Sequence, residues 1–390
     1  MHADRKTRLL STLQSEIDKG RLPGAVVILS RHGKVELFEK LGDQIPASDG
    51  ADGVPMALDS IFRIYSMTKP IVSVAIMMLM EQGKLLLSDP VSKYLPEYAK
   101  QQVATEVDGQ VSLVAVAKPA TIQDLLRHTA GLTYEFLGNS AAQKAYRASK
   151  IGMSLSDSSN AEFSKLLAVQ PLQYEPGTVW EYSRATDVLG VIVEVVSGQT
   201  LGNFLQDHIF KPLKMLETGF SVPSDKHHRI AEPFKKDPDG GIQLKLINIQ
   251  EPSKFESGGG GLASTAHDYA RFLQFMLNKG ELDDVRLLSS HTVDFMTADH
   301  LGELPVSAPC TATLLPPGHG FGLGFAVRKE TGISTVPGSA GVYYWGGIAG
   351  TTFFVDPKLD MFAMMLIQAP NQRDYYRPLF RNLVYAALES

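Results

Sequence analysis

The chain has a single cysteine, Cys310, among its 390 residues. One thiol excludes an internal disulfide and is compatible with a reducing cytoplasm. Long apolar runs are also missing: no stretch approaches the ~20 residues of a membrane span, and the charged start is not followed by the apolar core of a secretion signal. We therefore expect a cytoplasmic protein without a membrane partner.

An excess of charge of one sign is also missing. The sequence has 37 Lys and Arg residues and 42 Asp and Glu residues, a net charge of −5, and no basic block. Nucleic acid is therefore not expected as a partner.

The ten histidines show no pair at the spacing of a helical zinc site. The adjacent His227 and His228 stand in a charged loop and are interpreted as surface residues, so no metal is predicted.

Two common motifs of enzyme chemistry are absent. The glycine run at 258–261 lacks the Lys-Ser/Thr of a phosphate-binding loop and the strand-to-helix context of a dinucleotide fold, so no cofactor is predicted. The Gly-x-Ser-x-Gly elbow of the α/β-hydrolases is missing because Pro337 stands two places before Ser339. The sequence favours neither a nucleotide-binding protein nor an α/β-hydrolase.

The composition is that of a globular chain, with 44% hydrophobic and 20% charged residues. Its length suits two lobes, or one domain with a large insertion. Strand-like runs lie near both ends, and those at 25–30 and 35–41 predict a hairpin. The other predicted strands are 61–64, 322–328, 341–345, 351–355 and 361–368.

Between these runs, residues 84 to about 320 are interpreted as mainly helical with long loops, and residues 43–58 as a loop. Amphipathic helices are predicted at both termini, the first with Asp4 as a possible cap. We therefore expect an α+β fold in which residues 1–65 and 320–390 form an antiparallel sheet with terminal helices. A mainly helical lobe, residues 66–319, is inserted.

A Ser-x-x-Lys motif, Ser66 to Lys69, precedes an apolar run at 71–80 that predicts a buried helix ending at Gly83. On a helix, residues three apart share one face, so the hydroxyl would lie beside the amine. Burial favours the neutral form of a lysine, which can then take the proton of a serine. Because Pro70 has no N–H to return to the Ser66 carbonyl, we predict a distorted or 3₁₀ first turn. The alternative is that Ser66 merely caps a core helix.

Three further patches could join such a site. Tyr182 lies in the loop 180–184, where a tyrosine is usually a packing residue. In the segment 343–350, two glycines follow Trp345. They would either let a ligand approach the backbone closely or form a strand bulge. The third patch, 127–134, is a helix end and a turn.

Together these motifs resemble the penicillin-recognising serine hydrolases, a superfamily that includes class C β-lactamases, DD-peptidases and family VIII carboxylesterases. The resemblance runs from about residue 20 to the C-terminus. It is carried by six ordered matches: Ser-Met-Thr-Lys at 66–69, Leu-Leu-Arg-His-Thr-Ala-Gly-Leu at 125–132, Pro-Gly at 176–177, Tyr-Ser at 182–183, Gly-Gly-Leu-Ala-Ser-Thr at 260–265 and Trp-Gly-Gly at 345–347.

The resemblance implies a class C β-lactamase-like fold, with the active site between the sheet and the helical lobe. It also implies that Ser66 is the acylated nucleophile, and that Lys69 and Tyr182 form the general base and then the acid for the leaving group. The oxyanion hole would consist of the backbone N–H groups of Ser66 and Ile348, the latter expected on the strand after Gly347.

Departures from the family pattern bear on the substrate. The Lys-Thr-Gly of a β-lactamase, whose lysine helps to hold a carboxylate, is replaced by Trp345, Gly346 and Gly347. Arg184 stands in place of the usual asparagine. It would either point into the site and supply charge to an acidic substrate or point to solvent, which is the commoner case for a loop arginine. Tyr134 would either line the acyl pocket or be an ordinary packing residue.

Trp-Gly-Gly at this position is typical of family VIII esterases. We therefore expect a cytoplasmic serine carboxylesterase that hydrolyses small, short-acyl esters through an acyl-enzyme. The alternatives are a weak β-lactamase or an acyltransferase with the same mechanism, or a non-catalytic penicillin-binding-like protein. The oligomeric state stays open.

Overall fold

The computed structural model describes residues 3–48, 50–108, 110–152 and 157–388. Its helices are α1 (Ala3–Asp18), α2 (Thr68–Glu81), α3 (Ile122–Leu126), α4 (Ala141–Ala148), α5 (Asn160–Ala168), α6 (Ala185–Ser197), α7 (Leu201–Leu205), α8 (Ala266–Leu277), α9 (Ser290–Met296), α10 (Ala308–Thr313) and α11 (Arg373–Ala387). Its strands are β1 (Gly24–Arg31), β2 (Lys34–Ile45), β3 (Val54–Pro55), β4 (Ile61–Arg63), β5 (Gln102–Val107), β6 (Gln110–Ala115), β7 (Ala263–Thr265), β8 (Glu281–Leu282), β9 (Val285–Arg286), β10 (His319–Phe321), β11 (Ala326–Arg328), β12 (Tyr343–Gly346), β13 (Thr352–Asp356) and β14 (Met361–Leu366).

Eight strands form one antiparallel sheet in the order β10-β11-β12-β13-β14-β1-β2-β3. β1 lies between β14 and β2 and pairs antiparallel with both. Because these strands come from residues 24–55 and 319–366, the sheet joins the two ends of the chain. The predicted antiparallel sheet is confirmed.

The two faces of this sheet contact different helices. Val27 packs with Leu9 of α1 and Phe380 of α11 in one core. The next residue, Ile28, points to the opposite face, as strand geometry requires, and belongs to the larger core with Phe272 of α8. The predicted terminal helices therefore cover one face of the sheet.

α2 starts in the turn that carries Ser66, and its residues 68–79 are buried. A 3₁₀ turn, Tyr65–Met67, precedes the first α-helical residue, Thr68. The distorted turn that Pro70 predicts is thus confirmed. The helix ends at Glu81, and Gly83 follows with a φ of +68°, which supports the predicted stop.

Some predicted segments were wrong. Residues 102–115, assigned to the helical region, form the hairpin β5–β6. The alternation on either side of the Asp-Gly dipeptide at 108–109 of the sequence was the missed signal. Residues 322–328 do not form one strand, because β10 and β11 pair with each other across a turn in which Gly324 has a φ of +101°.

Two smaller differences concern the N-terminal half. The segment 43–58 is not wholly loop, because β2 continues to Ile45 and pairs with β3. Asp4 lies inside the first turn of α1 instead of capping it. There its carboxylate is placed where the helix dipole favours negative charge.

Within the described residues, no single helix combines the length and hydrophobicity needed to cross a membrane. The segments Ala185–Ser197 and Leu201–Phe210 reach that length and hydrophobicity only when they are counted together, and the chain bends by 78° between them.

Candidate active site

Ser66 lies in the tight turn between β4 and α2. β4 pairs antiparallel with β7, which places this turn beside the glycine run before β7. Tyr65 has a φ of +44°, a left-handed conformation that is strained for a bulky residue. Its hydroxyl accepts a 2.8 Å hydrogen bond from the Ile247 N–H, which holds the side chain in place. The strain therefore lies directly before the candidate nucleophile.

Lys69, one helical turn after Ser66, is only 1% exposed. Its Nζ lies 3.3 Å from Ser66 Oγ, 3.0 Å from Tyr134 Oη and 2.6 Å from the Gly259 carbonyl oxygen. The structure therefore brings the predicted serine and lysine together, with the amine aimed at the hydroxyl.

Tyr182 also reaches Ser66. Its Oη lies 2.6 Å from Ser66 Oγ, and its ring centroid lies 4.6 Å from Lys69 Nζ. The loop that carries Tyr182 ends where α6 begins. Ser66 Oγ consequently has two groups within reach that can take or return its proton, which is what acyl transfer requires.

Aromatic rings surround this pair of groups. The Trp345 ring lies 5.3 Å from the Tyr182 ring, and the His128 ring lies 5.1 Å from it on another side. Burial lowers the pKa of His128 well below its ordinary value, and the nearby Lys69 lowers it further. His128 is therefore neutral and accepts or donates one hydrogen bond, to Ser183 Oγ at 3.1 Å. Its packing role against Tyr182 was not predicted.

The glycine run contributes a contact that sequence reasoning missed. The Gly259 carbonyl accepts from Lys69, while the N–H of Gly259 donates to Asp187 Oδ1 at 2.8 Å. A Cβ at position 259 would lie 2.8 Å from Asp187 Oδ2, so the close approach requires glycine. The run itself was the available signal, because consecutive glycines often let backbone approach a functional group.

Of the two alternatives for Arg184, the solvent-facing one was wrong. The side chain neither points to solvent nor supplies a free charge to the site: it is 7% exposed and lies 2.7 Å from Glu135 and 3.6 Å from Asp187. Burial opposes its charge, but these two carboxylates outweigh burial and hold the pKa of Arg184 above its ordinary value. The guanidinium stacks over the Tyr134 ring at 4.8 Å. Arg184 is therefore a buried support of the site.

Replacing Arg184 with methionine is expected to destabilise the fold by about 3 kcal/mol, because it leaves the buried Asp187 and the half-buried Glu135 carboxylates without their cation. Urea unfolding followed by circular dichroism measures the change. The double variant Arg184→Met/Glu135→Gln should recover part of the loss. A single variant as stable as the wild type would show that the ion pair contributes nothing.

Tyr134 lies within the site. Its hydroxyl is bonded to Lys69, its ring lies 5.1 Å from Tyr182, and the exposed Phe136 stacks on it at 4.8 Å. Burial and the neighbouring Tyr182 raise the pKa of Tyr134 well above its usual range, so it stays a neutral phenol. Of the two predicted roles, neither describes this contact with the lysine.

The change Tyr134→Phe is expected to lower kcat by about tenfold, because it removes one of the hydrogen bonds that position Lys69. KM should change little. Steady-state hydrolysis of p-nitrophenyl butyrate measures both constants. Tyr98→Phe is the matched control, since the Tyr98 hydroxyl is also buried but bonds to the Ser164 carbonyl instead. Equal kcat for Tyr134→Phe and the control would exclude the positioning role.

The predicted oxyanion donors need one correction. Ile348 is not on a strand: β12 ends at Gly346, and Ile348 lies in the turn that leads to β13. Gly347 lies against the Ser66 turn, since a Cβ there would clash with the Ile64 carbonyl and meet Thr351 Oγ1 at 2.5 Å. Within the described residues, the backbone N–H groups of Ser66 and Ile348 donate to no protein acceptor. Their role as oxyanion donors stays a prediction.

The fold and this site define a class: a serine hydrolase with a Ser-x-x-Lys nucleophile, of the kind found in β-lactamases and penicillin-binding proteins. The Beta-lactamase family matches residues 9–386. The chain belongs to that family, and the resemblance that its motifs carry is confirmed.

Several relatives refine the comparison. Esterase EstB of Burkholderia gladioli is 32% identical over 378 residues, which cover 92% of this chain and 89% of EstB. The solved structure of EstCE1, described as a hydrolase with promiscuous acyltransferase activity, is 30% identical, has a TM-score of 0.81 and covers 98% of both chains. Simvastatin synthase LovD from Aspergillus terreus, at 23% identity, has a TM-score of 0.81 and covers all of both chains; it shows the shared fold alone.

Proposed function

We propose that the chain is a carboxylesterase that hydrolyses small, short-acyl esters through an acyl-enzyme on Ser66. The observation that carries the proposal is the placement of Ser66 Oγ, 2.6 Å from Tyr182 Oη and 3.3 Å from Lys69 Nζ. A merely structural serine at the start of a helix would need neither contact. The relative named as an esterase, EstB, supports the same reaction.

The reaction has two halves that use the same groups. Ser66 Oγ attacks the ester carbonyl while its proton passes to the pair formed by Tyr182 and Lys69. The oxyanion forms beside the N–H groups of Ser66 and Ile348. The pair then protonates the departing alcohol. In the second half it activates a water molecule, which attacks the acyl carbon and releases the acid and free Ser66.

The lining of the site favours uncharged ester groups. Trp345 stands where a β-lactamase has its carboxylate-binding lysine, and the charge of Arg184 is neutralised by its two carboxylates. Gly346 and Gly347 are required by protein packing beside Trp345, because a Cβ at Gly346 would lie 2.8 Å from Arg377 Nη2 and one at Gly347 would clash with the Ile64 carbonyl. The rings of Tyr134 and Trp345 pack on Tyr182 at 5.1 and 5.3 Å, and the Tyr182 hydroxyl contacts Ser66; this aromatic lining supports the preference for short acyl groups.

Acyl transfer to an alcohol is a second candidate. The hydrolase EstCE1, which aligns over nearly the whole chain, is described as having promiscuous acyltransferase activity. The same acyl-enzyme serves both outcomes, because either water or an alcohol can attack it. The two differ only in which acceptor reaches the acyl carbon first.

A substrate panel tests the proposal. We expect p-nitrophenyl acetate and butyrate to be hydrolysed with the highest kcat/KM, and the octanoate and palmitate esters to follow with lower values. Nitrocefin should be opened far more slowly than either short ester. Added butanol should divert acyl product from acid to ester only if acyl transfer competes. Rates that climb toward palmitate would contradict the short-acyl preference, and faster turnover of nitrocefin than of any ester would contradict the esterase assignment.

A further inference from the structure

Arg377 of α11 forms hydrogen bonds to the connection between β12 and β13. The Gly347 carbonyl accepts the N–H of Gly350 at 3.0 Å and also the Nη2 of Arg377. The same Nη2 lies 3.3 Å from the Thr351 carbonyl, which accepts the N–H of Gly347. One guanidinium therefore contacts both backbone carbonyls that close this turn.

The carbonyl of Gly347 and the N–H of Ile348 belong to one peptide unit. All described peptide bonds are trans, and in a planar trans peptide these two groups point in opposite directions. The carbonyl points toward Arg377, so the N–H points away from it. Gly347 itself lies against the Ile64 carbonyl, two residues before Ser66. The geometry therefore directs the Ile348 N–H toward the side on which the ester would be held.

The charge of Arg377 is free to act on this peptide. Among the described residues it forms no ion pair with a carboxylate, and its Nε is buried without a hydrogen-bond partner. Burial and, to a smaller extent, the nearby Arg373 lower the pKa of Arg377 to about 10, against the opposing effect of Asp374, so the guanidinium remains charged at neutral pH. A cation that binds a carbonyl oxygen draws electron density from the amide and makes its N–H a stronger donor.

We propose that Arg377 is a positioning residue of the oxyanion hole, which orients and polarises the Gly347–Ile348 peptide from outside the substrate cavity. The inference rests on the proposed function, because it concerns the oxyanion of that reaction. Among the described residues, the hydrogen bonds of Arg377 go to the Gly347 and Thr351 carbonyls and not to Ser66, so its effect arises through the peptide. The stabilisation it supplies grows as negative charge develops on the carbonyl oxygen, so it lowers the barrier more than it aids substrate binding.

The test uses Arg377→Gln and Arg377→Lys, with Arg373→Gln as the matched control one turn earlier on the same helix. Arg373 donates to the Pro370 carbonyl and lies near Asp374, and among the described residues it forms no hydrogen bond to the turn that holds Ile348. Five quantities are measured for each variant: kcat and KM for p-nitrophenyl butyrate, the melting temperature, and the inhibition constants of a trifluoromethyl ketone and of the matching methyl ketone. The fluorinated ketone adds to serine as an oxyanion, whereas the methyl ketone binds without addition.

For Arg377→Gln we expect kcat to fall at least about tenfold with KM nearly unchanged, since losing a complete oxyanion donor costs ~10²- to 10³-fold. The inhibition constant of the trifluoromethyl ketone should rise by the same factor, and that of the methyl ketone should not move. Arg377→Lys should lie between Arg377→Gln and the wild type, and Arg373→Gln should match the wild type.

Unchanged kcat in a folded Arg377→Gln, or equal weakening of both ketones, overturns the inference while the esterase reaction stands. If Arg377→Gln has a lowered melting temperature, the ratio of the two inhibition constants decides, because a general loss of folded protein leaves that ratio unchanged. A wild-type protein that neither hydrolyses the ester nor forms an adduct between Ser66 and the fluorinated ketone overturns the proposed function, and this inference with it.

Discussion

Replacing Ser66 with alanine is expected to reduce the hydrolysis of p-nitrophenyl butyrate to background, a loss of at least about 10⁴-fold in kcat. The reason is chemical: without Oγ there is no atom to carry the acyl group, and Tyr182 and Lys69 have no hydroxyl to activate. Initial rates of p-nitrophenol release, compared side by side at equal protein concentration, measure the effect. Mass spectrometry of wild-type protein quenched during turnover should show one acyl group on the peptide that contains Ser66.

Ser73→Ala is the matched control, because Ser73 is the next serine along the chain and lies on α2, where it is 1% exposed, whereas Ser66 is half-buried. It should retain wild-type activity. Two results would contradict the mechanism: a Ser66→Ala variant as active as the control, or an acyl group found on another residue. In either case Ser66 would be only the start of a buried helix.

The change Tyr182→Phe is expected to lower kcat by about 10³-fold or more while the fold is kept. The substitution removes only the hydroxyl that lies 2.6 Å from Ser66 Oγ and leaves the ring in its packing against Trp345 and His128. General acid–base catalysis typically contributes 10²- to 10⁴-fold, and here one group serves both halves of the reaction. Stopped-flow measurement of the first turnover separates slower acylation from slower deacylation.

The contrast with Tyr134→Phe makes this prediction specific. The Tyr134 hydroxyl is hydrogen-bonded to Lys69, whereas the Tyr182 hydroxyl is hydrogen-bonded to Ser66 Oγ. The loss should therefore be much larger for Tyr182→Phe than for Tyr134→Phe. Equal losses would indicate that both tyrosines act only by positioning Lys69, and that the lysine alone takes the proton.

The sequence was most informative where chemistry depends on neighbours along the chain. Ser66 and Lys69 are one turn apart, so any helix that includes both brings them together. Pro70 likewise predicts the 3₁₀ turn at the serine because its effect is local to the backbone. The terminal strands and helices were found for the same reason, since their hydrophobic periodicity is a property of short segments.

Contacts between distant segments could not be predicted in the same way. The hydrogen bond from Lys69 to Gly259 spans 190 positions, and the one from Arg377 to Gly347 spans 30. The position of Arg184 depends on Glu135, 49 residues away. A loop arginine is usually solvated, and only the fold brings it a buried carboxylate. Such pairings depend on how helices pack, which local pattern does not encode.

By itself, the sequence determined which residue types can perform the chemistry and which segments carry them: the Ser66 helix, the Tyr182 loop and the strand of Trp345. Only the tertiary structure decided how close they are, which hydroxyl reaches the serine, and which charges are neutralised. The physical reason is that hydrogen bonds and ion pairs depend on ångström distances and on exclusion of water. Those quantities exist only once the sheet and helices have packed around the site.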